Sequence, residues 1–269
     1  MSDGDLKRIA AGSLEIAYRD VGRGPPIVMF HGMEGDHRVH NLVQDELGSS
    51  FRVLSFDQRD CGRTGFLGPE PAAYELKDVA SDAIRLLDAL GFERATLVGF
   101  SLGGLLAQVA AIHWPARVDR LVLGLTWPCS FRLQDLNPEG RQKRALLSQQ
   151  GEASARLLAE FMSTPEFVAA HPEVVDQLRD LTTMPSEAAR QRRFAALADA
   201  PPLDPSAIRQ HTLVLAGERD QMVPPSVSAR LADLLSSARL EIIPQAGHLA
   251  TRQAPKLVAA LIKDFLDGG

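Results

Sequence analysis

The stretch Val98-Gly99-Phe100-Ser101-Leu102-Gly103-Gly104 decides how this chain is read. Before it runs Ala95-Thr96-Leu97-Val98, apolar and β-branched, as a strand requires. After it runs Leu105-Leu106-Ala107-Gln108-Val109-Ala110-Ala111, which suits a helix. Strand, sharp turn and helix are the setting in which Gly-x-Ser-x-Gly forms a nucleophile elbow. The serine of such a turn takes a strained backbone conformation, and the positions two residues to either side leave no room for a Cβ. Its hydroxyl then stands at the end of a strand and at a helix N-terminus, where free N–H groups favour developing negative charge. Chance alone produces the five letters in about one chain in ten of this length. The flanking elements and the rest of the chain therefore have to carry the reading.

Working outward, Leu14–Tyr18 alternates as an antiparallel strand does, and Gly22–Pro26 is a turn. Ile27-Val28-Met29-Phe30 is a short all-apolar run, the pattern of a strand buried on both faces, and it ends at His31-Gly32-Met33-Glu34-Gly35. Val39–Leu47 suits a helix. Phe51–Asp57 is the next strand and runs into a polar loop, Asp57-Gln58-Arg59-Asp60-Cys61-Gly62-Arg63-Thr64-Gly65. Leu76, Val79, Ala83, Leu86 and Leu90 recur every three or four residues, predicting a helix over 75–90 stopped by Gly91. Val118–Leu125 is a strand after the elbow helix. Alternating strands and helices imply βαβ units and a mostly parallel sheet.

That rhythm stops at Trp127 and resumes at Thr212-Leu213-Val214-Leu215-Ala216-Gly217. A helix over 225–236, the strand Leu240–Pro244 and a closing helix striped by Val258, Leu261, Ile262, Phe265 and Leu266 follow. Between lie helix signals: Asn137-Pro138, a stop at Gly151, Thr164-Pro165 and His171-Pro172. The division expected is a core of residues 1–126 and 207–269 with a helical lid over 127–206, long for a connection and therefore functional. Phe131, Phe161, Met162 and Phe167 are candidate pocket residues under that lid, with Met184 and Phe194 in the same stretch; packing the lid onto the core is the plainer use of most of them.

A serine hydroxyl needs a neighbouring base, and functional residues of parallel sheets gather past the carboxyl ends of strands. His31 and His248 directly follow strands; His37 lies further along its loop. His248 suits the base and His31 a brace of its loop. Asp220, in Gly217-Glu218-Arg219-Asp220, suits the carboxylate that fixes the base's tautomer, with Glu218 as competitor. Cys61 has no base assigned to it. Arg190-Gln191-Arg192-Arg193 reads as a solvated helix face, with recruitment of a carboxylate as the lesser reading, and Glu34 reads as a solvated loop residue.

The order Ser101, Asp220, His248 is that of the α/β-hydrolases, and the chain resembles that family over nearly its whole length outside the lid. His31-Gly32-Met33 resembles the oxyanion-loop motif, Asp57 to Gly65 the Asp-x-Arg-Gly-x-Gly-x-Ser loop, and Gly217 to Pro224 and Gly247-His248 the acid and histidine motifs. Asp60 replaces a usual glycine, Thr64 a usual serine, and Gln253 a common acidic residue. The Asp57-to-Thr64 string is similar to that of aclacinomycin methylesterases, and the small lid to that of 3-oxoadipate enol-lactonases. The resemblance implies an α/β fold with a mostly parallel eight-stranded sheet flanked by helices and the lid inserted after the sixth strand. It also implies an oxyanion hole from the backbone N–H groups of Met33 and Leu102. Haloalkane dehalogenases and epoxide hydrolases carry aspartate at the elbow, so Ser101 argues against both.

The expected activity is cofactor-free hydrolysis of a small ester or lactone, with a thioester, a C–C bond or slow-turnover ligand sensing as rivals. The bulk properties agree. The chain has 269 residues, 45% hydrophobic and 23% charged, with net charge −5 and a pI near 5.8. It lacks the basic footprint of a nucleic-acid binder, an apolar run that would span a membrane and a signal-peptide pattern. Its two cysteines, Cys61 and Cys129, have no metal-ligand spacing. A cytoplasmic monomer or homodimer with a small-molecule substrate, no metal and no membrane or nucleic-acid partner is expected.

Overall fold

Strand composition sets the layers. In the computed structural model, which describes residues 6–150, 154–180 and 185–268, the all-apolar runs become central strands and the amphipathic runs cover them. The strands are β1 (Leu6–Ala11), β2 (Leu14–Val21), β3 (Pro26–Phe30), β4 (Arg52–Phe56), β5 (Gly65–Phe66), β6 (Ala95–Phe100), β7 (Val118–Gly124), β8 (Thr212–Gly217) and β9 (Ala238–Ile243). Eight form one sheet in the order β1-β2-β4-β3-β6-β7-β8-β9, and the two-residue β5 pairs with β2. Along that order every pairing from β4 through β3, β6, β7 and β8 to β9 is parallel, while β2 pairs antiparallel with β1, β4 and β5. Every residue of β6 and β8 is buried, as strands covered on both faces must be.

Helices lie on both faces. On one, α2 (Leu76–Ala89), α3 (Leu102–His113) and α9 (Pro225–Leu234) pack with Val28, Phe30, Leu54, Leu97 and Leu123. On the other, α1 (Asn41–Leu47) and α11 (Pro255–Asp267) enclose Ile27, Met29, Val98, Val122 and Leu213. The chain passes from β3 out to β4 and back across to β6, on the other side of β3. Strand order reverses there, and the crevice beyond the carboxyl ends of the strands is where open α/β sheets hold ligands.

Among the described residues no strand lies between β7 and β8. That interval, entered after the sixth of the eight sheet-ordered strands, holds α4 (Pro138–Gln149), α5 (Ala155–Met162), α6 (Pro165–Ala170), α7 (Val174–Asp180) and α8 (Glu187–Ala198). Their starts follow local chemistry. The Asn137 side chain accepts from Gly140 N, Thr164 from Phe167 N and Ser186 from Ala189 N, each satisfying an amide that the helix leaves free. The stop expected at Gly151 and the candidate Met184 lie outside the described residues.

Candidate active site

Ser101 follows β6 with φ 57° and ψ −126°, a left-handed conformation rare for any residue but glycine. The surroundings enforce it. A Cβ on Gly99 would collide with the Gly103 carbonyl, and one on Gly103 with the Phe30 carbonyl, so only glycines let the turn close. Ser101 N donates to Gly124 O at 2.9 Å and Thr126 Oγ1 donates to Ser101 O at 2.7 Å, fixing the turn against β7 and the segment after it.

Loops after β8 and β9 bring the partners. His248 Nε2 lies 3.0 Å from Ser101 Oγ, and His248 Nδ1 lies 2.7 Å from Asp220 Oδ2. The other Asp220 oxygen accepts from Met222 N at 2.8 Å and Val223 N at 2.9 Å, so the carboxylate is held at both ends and is fully buried. Glu218 is elsewhere: it is exposed, and its carboxylate accepts from the Gln245 backbone and side chain. The arrangement suits proton transfer from the Ser101 hydroxyl to an imidazole whose tautomer the Asp220 carboxylate selects. Gln253 Oε1 accepts from Gly247 N at 2.9 Å, and Leu249 N donates to Met162 O, the last residue of α5, so the histidine loop is tied from both sides.

The His31 loop packs against the elbow: a Cβ on Gly32 would lie 3.7 Å from Ser101 Cβ. His31 is buried, and its Nε2 accepts from Gln58 N at 3.1 Å while its Nδ1 donates to Gly32 O at 2.8 Å. Burial and then the Arg193 charge push its pKa down to about 3, which keeps the ring neutral and able to accept. Arg193 comes from α8, is itself buried, and donates from Nε to Met33 O at 2.7 Å and from Nη2 to Gln58 Oε1 and, at 3.5 Å, Gly32 O. In a trans peptide the C=O and N–H point in opposite directions. Bonds that hold Gly32 O therefore also fix the direction of the Met33 N–H. Leu102, the other expected donor, opens α3, where the first amides have no intrahelical acceptor.

Several expectations are corrected by this packing. Arg192 and Arg193 do not form a solvated face: Arg192 pairs through two bonds with Asp60, at 2.9 and 2.7 Å, and Arg193 is buried. Glu34 lines the cavity and pairs with Arg144 of α4 and Arg190 of α8. Of the four candidate pocket residues, only Met162 lines the cavity. Phe131 packs on the core, Phe161 is buried beneath Lys143, and Phe167 lies against the His171 ring at a tilt. The reason is helix phase: Phe161 and Phe167 point from α5 and α6 away from the cavity that Met162 borders. Phe194 lines it instead, with Trp127, Leu136, Leu178 and Leu197.

The cavity holds about 780 Å³ above Ser101, Leu102, Met33 and His248. Cys61 lies outside its lining and is buried, and burial pushes its thiol up to about 11, the opposite of an activated nucleophile. Among the described residues, Asp36, His37 and Asp57 bring three candidate metal-ligand atoms within 4.8 Å of one another. Their lone pairs are already engaged. Asp57 Oδ1 accepts from His37 N and Nδ1, Asp57 Oδ2 from Arg63 N, and Asp36 from Arg38. They brace the loop beneath the site.

Known proteins agree with this architecture. The α/β hydrolase fold family matches residues 25–254. A putative carbamate hydrolase RutD of Caulobacter sp. (strain K31) is 29% identical, covering 96% of this chain and 98% of its own. The 2-hydroxymuconate semialdehyde hydrolase of Pseudomonas sp. (strain CF600) is 32% identical, covering 97% of this chain and 93% of its own. Among solved structures, a malate-bound thermophilic esterase from Thermogutta terrifontis superposes with a TM-score of 0.82 at 25% identity, over 98% of both chains. With the elbow, the sheet order and these relatives in agreement, the chain belongs to the α/β hydrolase fold family and is a hydrolase.

Proposed function

We propose that this hydrolase is a cofactor-free serine enzyme acting on a small carboxylic ester or lactone. The unbroken path Asp220–His248–Ser101 on a strained elbow carries the reading. His248 takes the Ser101 proton as Oγ attacks the carbonyl carbon. The resulting oxyanion lies against the N–H groups of Met33 and Leu102, with Arg193 and His31 holding the Met33 peptide in place. His248 then gives its proton to the leaving oxygen, and water, deprotonated by the same ring, clears the acyl-enzyme.

In the same reading residues 127–206 are a lid on a core of 1–126 and 207–269. Its helices wall the cavity, exclude water and set specificity through Met162 and Phe194. The substrate is a small molecule, and the chain works in the cytoplasm as a monomer or homodimer. Among the described residues no helix is long and apolar enough to cross a membrane.

Hydrolysis of a C–C bond is the second reading, favoured by the 32% identity to a 2-hydroxymuconate semialdehyde hydrolase. A panel of 4-nitrophenyl esters, simple lactones, a carbamate and 2-hydroxymuconate semialdehyde separates the two. The proposal expects the highest kcat/KM on an ester or lactone, turnover in the ordinary enzyme range of about 1–10³ per second, and its loss in Ser101→Ala. Cleavage of the semialdehyde with inert esters would move the assignment to C–C hydrolysis. Turnover far below that range on every substrate would favour a ligand sensor.

A further inference from the structure

Among the described residues, the lining of the cavity above Ser101 includes four guanidinium groups, from Arg141, Arg144, Arg190 and Arg252, and one carboxylate, Glu34. Glu34 pairs with Arg144 and Arg190 at the α4–α8 side. Arg252 is different. It sits on α10 (Ala250–Gln253), four residues after His248, and its Nη2 donates to the neutral Gln177 Oε1 on α7. Among the described residues no carboxylate lies within ion-pair distance of it. The side chain is half-buried, and burial pulls its guanidinium below the ordinary arginine range with no opposing charge to offset this.

His40 also lines the cavity and is buried. Its Nε2 bonds the Phe30 carbonyl at 3.3 Å, and its Nδ1 has no partner. The Arg252 charge adds to the burial that already depresses its pKa to about 4. Because His40 Nε2 donates to Phe30 O, its unpaired Nδ1 is a lone pair that takes a hydrogen-bond donor, and the group on this wall that seeks an anion is the half-buried Arg252 cation.

We propose that Arg252 is the anchor for a carboxylate carried by the substrate, so that the preferred ester or lactone is a half-derivative of a short dicarboxylic acid. A guanidinium offers five N–H donors in a planar fork, and only one is taken by Gln177, which leaves a two-pronged face for a carboxylate. One unit of positive charge matches one carboxylate and leaves a phosphate dianion half-compensated. Arg252 and His248 share one short segment, so a carboxylate on Arg252 and a carbonyl on Ser101 are fixed relative to each other by a rigid turn.

The inference rests on the serine-hydrolase reading for its substrate chemistry, and the test separates the two. Mono-4-nitrophenyl glutarate and 4-nitrophenyl valerate differ only in a terminal carboxylate against a methyl group. The native chain is expected to favour the glutarate ester in kcat/KM by at least about tenfold, the scale of one charge-assisted pair. Arg252→Gln should reduce that selectivity ratio by about tenfold, and Arg252→Lys should retain part of it. Independently, free glutarate should raise the melting temperature of the native chain and shift Arg252→Gln far less. A glutarate shift that depends on Arg252, with neither ester cleaved, would remove the ester-hydrolase reading and leave the anion site standing. Cleavage of valerate with no preference for glutarate in the native chain overturns the anion site and leaves the hydrolase reading intact. That comparison needs no variant to fold. An unchanged ratio in a folded Arg252→Gln also overturns it.

Discussion

Arg193→Met removes a lid side chain that grips the carbonyls beside the expected oxyanion hole. Methionine fills much of the volume and restores no donor. Two buried acceptors lose short bonds, Met33 O and Gln58 Oε1, while the longer contacts to Gly32 O and Arg59 O, at 3.5 and 3.4 Å, count for little. An orphaned buried acceptor costs about 1–3 kcal/mol, so the loss is about 2–6 kcal/mol. Removing the guanidinium also relieves its own burial, which places the net nearer the low end, about 2–4 kcal/mol. The kinetic effect follows from the freed Met33 carbonyl, which lets Met33 shift although His31 still holds the Gly32–Met33 peptide. Deleting an oxyanion donor outright costs about 10²–10³ in kcat, so loosening one should cost about tenfold to a hundredfold, with KM little changed. Urea unfolding followed by circular dichroism gives the first quantity, and steady-state hydrolysis of a 4-nitrophenyl ester gives the second. Arg193→Lys should recover part of both. A full loss of stability with kcat intact would refute the positioning argument and reduce Arg193 to an attachment of α8.

Further outcomes follow from the same geometry. Asp220→Asn should keep the fold and lower kcat by orders of magnitude, about 10⁴ being the benchmark in another triad enzyme, whereas Glu218→Gln should be mild; the reverse pattern in steady-state kinetics would reassign the acid. His31 and His40, with pKa values depressed to about 3 and 4, stay neutral in the folded chain while the unfolded chain protonates below about 6.5. Their stabilisation is present above pH 6.5 and lost as pH falls toward 4 and 3, about 2 kcal/mol each by pH 5; His40→Phe should shrink the stability difference between pH 7.5 and pH 5 by that amount in urea titrations. Met162→Ala and Phe194→Ala should reorder a graded ester series, each by about 1–3 kcal/mol in kcat/KM, while Phe131→Ala should leave the ranking unchanged; identical rankings in all three would remove the lid from specificity.

The elbow was legible because its requirements are local: a buried strand, two glycines with no space for a Cβ, and a helix start. Ser101, Asp220 and His248 were legible because each ends a strand in a parallel sheet, and topology brings such ends together. The departures from the family pattern became intelligible only in three dimensions. Thr64 Oγ1 donates to Asp57 O at 2.6 Å and accepts from Ala17 N, work that a serine hydroxyl performs equally. Asp60 takes φ 60°, a conformation aspartate tolerates better than most residues, and in exchange pairs with Arg192. Charge patterning along α8 distinguished a polar helix from an apolar one and carried no information on what each arginine faces, which depends on contacts more than 130 residues away in sequence. The strand β1 is not legible in the sequence because Leu6-Lys7-Arg8-Ile9-Ala10-Ala11 is an edge strand, half exposed and charged, without the apolar density of the core strands.

Active-site labelling of the native chain with a fluorophosphonate, read by intact-protein mass spectrometry and peptide mapping, puts the role of Ser101 to the test. One phosphonyl group per chain, carried by Ser101 and absent from Ser101→Ala, is the expected result. Label on any other residue, or none on a chain that circular dichroism shows to be folded, contradicts the assignment of Ser101 as the nucleophile.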